Sequence, residues 1–302
     1  MKTLISLTLT LLAVNCMFAQ ANVQHMWKVT LKVVDKNNNP IAGAKASVSY
    51  YENAAPTSID GLTDTNGIFV AAHSVGKSLA GYQLGFAAEK DGYYSTLAQR
   101  FLPPTYDPVK WNPTIILTLK KVGKPIPMYA KSVNLGMPVF EKPVGYDLMA
   151  GDWVAPYGKG VHTDIIFMGH FDKKTNGESD YTLTVSFPNV GDGIQEFSAP
   201  VLLQDAVAGQ SDLRSSQNAP ADGYQPTFVQ TNRDPNRNFY FRVHTVLDEN
   251  GNVKSTLYGK IYGDFMQFSY YLNPTPNDRN IEYDPGHDLL GGVPSFEQVR
   301  VP

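Results

Sequence analysis

Apolar Trp27, Val29, Leu31 and Val33 alternate with polar Lys28, Thr30 and Lys32. That two-residue period belongs to an extended segment with one face buried and the other in water. It returns where Ala44, Ala46, Val48 and Tyr50 alternate with Lys45, Ser47 and Ser49. Between the runs, residues 35–40 read DKNNNP. Asn and Asp side chains bond their own backbone in such a stretch, and Pro40 has no N–H to give a ladder. The pattern predicts two strands joined as a hairpin, with Gly43 free to take a bulge or a positive φ. Asn66-Gly67 predicts a second hairpin turn, with a strand leaving it at 68–70. Tyr82, Leu84, Phe86 and Ala88 alternate before a turn at Lys90-Asp91-Gly92, and residues 114–120 (TIILTLK) read as a closing strand. The proline-rich stretch 101–113 between them reads as a loop.

The second half returns to strands at 161–171, 181–187, 193–197, 239–247, 253–261 and 265–272. The last three are expected to run as an antiparallel meander through the turn Asp248-Glu249-Asn250-Gly251. Residues 122–143 carry Gly and Pro so densely that no long regular element is expected, yet Ile126, Met128, Val133 and Leu135 are too apolar for a free tether. They should pack along the second unit. Residues 205–224 suggest one helical turn followed by loop, and the Pro- and Gly-rich tail from Asn273 suggests a surface wrap.

Taken together, DKNNNPIAGAKASV and the later LTDTNGIF resemble the carboxypeptidase regulatory-like domains, which group with the prealbumin-like and Cna-B-like β-sandwiches. The resemblance covers residues 27–121 and is one of turn chemistry. It implies a β-sandwich serving as an accessory module, without catalysis. The second half, with its Pro-Met-Tyr-Ala-Lys stretch at 127–131, is similar to uncharacterised secreted bacterial proteins.

Composition agrees with an all-β chain: 302 residues with Gly 25, Pro 21, 12% aromatic and 18% charged residues suit two turn-rich units. The expected organisation is a signal peptide at 1–21, a β-sandwich at 27–121, a connector at 122–143 and a second β-rich unit at 144–302. Residues 1–21 pair Lys2 with an apolar run and an Ala19-Gln20-Ala21 cleavage pattern, which points to a secreted or periplasmic protein. Cys16 follows Asn15 rather than a small residue, so lipid anchoring there is not expected. No later stretch is apolar for long enough to span a membrane. Loss of Lys2 with the leader leaves 24 basic against 28 acidic residues, which argues against nucleic acid as a partner.

Chemical signatures are sparse. No Gly-x-Ser-x-Gly, no His-Glu-x-x-His and no cysteine beyond Cys16 occurs, so neither a catalytic residue nor a cofactor is expected. The turns at Asp35 and Asp248 begin like calcium loops, but Pro40 and Val253 stand where the sharp turn needs Gly, and Ala46 stands where the first would need its closing Glu. Along residues 161–172, His162, Asp164, His170 and Asp172 share one parity. At about 3.3 Å per residue, only neighbours two apart on a continuous strand could share an ion. No metal site is expected, and His162 with Asp164 comes nearest to one. His244 reads as a solvated or satisfied histidine.

Residues 145–160 set Tyr146, Trp153 and Tyr157 among glycines, with Asp152 beside them. Aromatic faces flanked by carboxylates suit sugars; the alternative is an aromatic plug beneath an irregular loop. Three readings of function follow: a non-catalytic binding protein with carbohydrate as leading ligand, a structural or adhesive protein contacting envelope proteins, or a hydrolase using carboxylates such as Asp164 and Glu282.

Overall fold

The computed structural model describes residues 25–52, 55–75, 81–102, 113–173, 179–199 and 210–302. The leader at 1–21 and Cys16 lie outside them, as do most of the loop 101–113 and residues 205–209. Every regular element among the described residues is a β-strand. The chain is all-β, as its alternation requires.

In the first unit the predicted strands form, but the hairpin does not. Strand His25–Val34 pairs with Ile68–Val75 and, in parallel, with Thr114–Thr118, whereas Lys45–Glu52 lies between Ala55–Leu62 and Tyr82–Glu89 in the opposing sheet. The DKNNNP turn therefore arches from one sheet to the other. Its sequence-local chemistry is as expected, with Asp35 Oδ1 accepting from the Asn37 and Asn39 N–H groups at 2.8 and 2.9 Å. The Asn66-Gly67 turn also crosses sheets, and only Gly67 takes a positive φ, 72°. The arches bring the two apolar faces together. Trp27, Val29, Leu31 and Val33 are fully buried against Ala46, Val48, Leu84 and Phe86, the inward-facing alternation of a sandwich.

The second unit is built on a six-stranded sheet buried on both faces. Its order runs Gly193–Phe197, Asn238–Leu247, Val253–Asp264, Gln267–Leu272, Ile126–Asn134, Tyr283–Asp288, and the expected meander supplies the middle. Phe239, Phe241, Ile261 and Phe268 face a second sheet through Ile165, Phe167, Leu183 and Val185. Tyr240, Tyr258, Tyr262 and Tyr271 face the other way, in one core cluster with Met128 and Tyr283 of the same sheet and with Ile281 and Val299 from outside its strands. The tail from Asn273 thus supplies both a strand and core side chains.

Residues 122–143 also depart from expectation. They contain a nine-residue strand, Ile126–Asn134, with Met128 and Ala130 fully buried. Pro127 is accommodated because it sits where the pairing to Tyr283–Asp288 shifts register and before the ladder to Gln267–Leu272 begins at Tyr129. In the segment 205–224, the described residues form a two-residue strand, Gln210–Ser211, added to the edge of Thr96–Leu102 in the first unit.

Candidate functional site

The stretch that joins Val144–Asp147 to Ile165–Lys173 is irregular and is organised by three carboxylates. Asp147 is buried; its Oδ1 accepts from the Met149 and Ala150 N–H groups at 3.0 and 2.8 Å, and its Oδ2 from Val161 and His162, both at 3.0 Å. Burial pushes this carboxyl up, but the four N–H donors outweigh it and hold the group below the usual carboxylate range. Asp152 Oδ1 accepts from Trp153 N at 2.8 Å and its Oδ2 from Lys159 N at 3.1 Å. Glycine is needed where the loop doubles back: a Cβ on Gly160 would lie 2.8 Å from Asp147 Cβ, and one on Gly158 2.4 Å from Trp153 O.

The aromatic residues of this loop part company. Tyr146 is 3% exposed and belongs to the core. Its ring meets Trp153 edge-on at 5.3 Å and Phe167 at 6.3 Å, and Trp153 meets Phe167 at 5.7 Å. Trp153 is half-buried, while Tyr157 is 44% exposed. A buried ring has no face to offer a ligand, so on this surface the outward aromatic area is that of Tyr157 and part of Trp153.

Asp164 ends the irregular stretch with its side chain wholly buried. Its Oδ2 accepts from Leu148 N at 2.8 Å, and its Oδ1 meets His244 Nε2 at 2.6 Å and His162 Nε2 at 3.5 Å. The two imidazole rings lie 4.4 Å apart. His162, Asp164 and His244 each offer a ligand atom, all within 4.8 Å of one another. The expected pair His162 and Asp164 is therefore brought together with a third residue read as solvated or satisfied. The hydrogen bond to Asp164 raises the His244 imidazole above its ordinary value, against burial that lowers it.

Strand parity missed His244 because the strand is not regular there. The register slips between Val243 and Val246, and His244 takes a φ of 57°. Such a bulge re-aims a side chain. Its neighbours are pinned, with Thr245 N donating to Asp192 Oδ1 at 2.8 Å and Thr256 Oγ1 to Val243 O at 3.1 Å. The other histidine of the 161–172 run, His170, bonds Glu141 through Nδ1.

Glu282, the second carboxylate of the hydrolase reading, lies in a separate network. It is 1% exposed; Oε1 accepts from Tyr94 Oη at 2.7 Å and Gly123 N at 2.6 Å, and Oε2 from Lys124 N at 2.7 Å. Nearby, Lys120 Nζ donates to the carbonyls of Arg214 and Ser215, each at 3.0 Å. Residues of both halves meet at this joint.

No family model and no curated protein matches the chain, so the likeness of residues 27–121 to carboxypeptidase regulatory-like domains remains one of turn sequence. Among solved structures, 3-chlorocatechol 1,2-dioxygenase from Rhodococcus opacus 1CP is 16% identical over 34% of this chain and 62% of its own, with a TM-score of 0.27. The chain thus spans less than two thirds of that enzyme. The shaft pilin SpaA from Lactobacillus rhamnosus GG is 13% identical over 56% of this chain and 90% of its own, with a TM-score of 0.25. BcpA, the major pilin subunit of Bacillus cereus, is 11% identical over 85% and 99%, with a TM-score of 0.22. Overlaps this slight carry no weight for activity. Among the described residues, no helix is long and apolar enough to cross a membrane.

Proposed function

We propose that the chain is an exported structural or adhesive protein that recognises a partner by surface contact and leaves it chemically unchanged. The observation carrying this reading is the joint at Glu282, where one buried carboxylate takes two connector N–H groups and the hydroxyl of Tyr94. Hydrogen bonds to a buried charge are strong and directional, and a hinge built for motion would leave these donors to water. The strand Gln210–Ser211, paired to the edge of Thr96–Leu102, is a second tie between the two halves. Export rests on the leader pattern at 1–21.

Carbohydrate is the finer ligand class within this reading, served by the outward faces of Tyr157 and Trp153 beside Asp152. The test is retention of glycans and envelope proteins on the immobilised chain, with recovered ligand checked for cleavage. Saturable retention of intact ligand is expected. Release of hydrolysed glycan or peptide would place the chain among hydrolases and overturn the reading.

A further inference from the structure

We propose that His162, Asp164 and His244 form a site for a divalent first-row transition ion, with zinc the expected occupant and one coordination position open to solvent. A tetrahedral zinc with bonds of about 2.0–2.1 Å keeps its ligand atoms roughly 3.4 Å apart. Here Asp164 Oδ1 stands 3.5 Å from His162 Nε2 and 2.6 Å from His244 Nε2. An ion entering would replace the proton shared by His244 and Asp164, and that pair would open by less than about 1 Å.

The ligands are already supported from behind. Leu148 N holds Asp164 Oδ2, Asp147 Oδ2 accepts from the backbone N–H of His162, and Asp192 and Thr256 hold the backbone on either side of His244. The Leu148 bond orients the Asp164 carboxylate itself, and the others fix the backbone from which the two imidazoles project. His244 itself has a φ of 57°, a left-handed backbone conformation that few non-glycine residues adopt, histidine being among the more frequent of them. A bulge held in place by several neighbours, aiming an imidazole at a buried carboxylate that a second imidazole also approaches, fits a ligand-binding role better than a packing role.

The donor set selects the ion. Two imidazole nitrogens and one carboxylate oxygen suit zinc and its neighbours, whereas calcium and magnesium take oxygen. No thiolate is present to favour monovalent copper. Access is open, since the side chains of His162 and His244 are 52% and 29% exposed. Three protein ligands leave zinc a fourth position for water or for a donor from a partner. This site shares no residue with the Glu282 joint, so either assignment can fail without the other.

The test uses the full chain without an affinity tag, stripped by chelator and titrated with zinc chloride by calorimetry. One saturable equivalent and a raised melting temperature are expected. His162→Gln, at an exposed position, and His244→Asn, whose new side chain tolerates the left-handed backbone, should each weaken zinc binding by at least about tenfold. Millimolar calcium or magnesium should not compete. Imidazole nitrogen spectra of the unmodified chain give a readout independent of how the variants fold: zinc should shift His162 and His244 and leave His73, His170 and His287 in place. Absence of saturable binding, displacement by calcium, or shifts confined to the other histidines would overturn the assignment.

Discussion

The carboxylate of Asp147 accepts N–H groups from Met149, Ala150, Val161 and His162, tying the two ends of the irregular stretch to each other. Asp147→Ala strands four donors, and a buried donor without a partner costs about 1–3 kcal/mol. A loss of at least about 3 kcal/mol in urea unfolding is expected, since water reaches some of the four. The acid limb follows from the same bonds. Because the folded carboxyl titrates below its unfolded value, its stabilisation is present above the unfolded value near 3.9 and fades as pH falls through the folded one. Asp147→Asn should flatten that limb below about pH 4, as followed by circular dichroism.

Lys260 has the opposite sign. It is fully buried, its Nζ lies 4.7 and 5.0 Å from the rings of Tyr271 and Tyr262, and it has no hydrogen-bond partner among the described residues. Burial holds the amine well below its ordinary value, although Glu282 pulls it upward. The unfolded chain then binds the extra proton, so stability should rise with pH from the folded value to about 10.4. Lys260→Met should lack that rise and be at least as stable as the parent at pH 7. Urea midpoints between pH 7 and 10 check both statements, and a strongly destabilised variant would count against them.

Among the elements, Val253–Asp264 bears the most packing, with nine consecutive buried residues from Thr256 to Asp264. Residues of such a strand face core on both sides, so alternation fades from its sequence. Gly259 lies in its middle, where an added Cβ would fall 2.2 Å from Phe241 Cζ and 2.4 Å from Tyr271 O. The backbone oxygen cannot step aside as a flexible side chain can. Gly259→Ala should therefore cost about 1–3 kcal/mol or more, measured by thermal unfolding. A neutral result would mean that the two neighbouring strands slide more freely than their pairing implies.

For the whole molecule, the arrangement predicts partial independence. The first core, from Trp27 to Leu119, is drawn entirely from the first unit, while Gln210–Ser211, Glu282 and the Lys120 contacts cross to it from the second half. A fragment spanning 25–121 should fold cooperatively, with a lower melting temperature than the same unit in the full chain. Dispersed amide spectra and a sigmoidal melt are the expected result. A fragment with collapsed amide dispersion would mean that the joint, not the core, maintains the first sandwich.

Local chemistry was readable along the chain because it acts over a few residues. The turns at Asp35 and Asp248 close as their Asn residues require, with Asp248 Oδ1 accepting from Asn250 and Asn252 as Asp35 does from its own partners. The buried face from Trp27 to Val33 was equally readable, since period-two alternation states which side avoids water. Partnership was not readable. Alternation is the same whether a strand pairs with its sequence neighbour or crosses to the facing sheet, so the arch at 35–40 looked like a hairpin. The strand Ile126–Asn134 was hidden by Pro127, whose missing N–H is harmless only at a register shift made by Tyr283–Asp288, some 150 residues later. The candidate metal site divides in the same way: His162 and Asp164 stand two residues apart and could be paired by counting, whereas His244 joins them through a bulge that breaks parity and a fold that closes an 80-residue separation. Spacing along a chain reports only near neighbours, here in the irregular stretch before Ile165–Lys173 and not on the strand expected from 161, and only packing of the sheets brings distant ligands within reach of one ion.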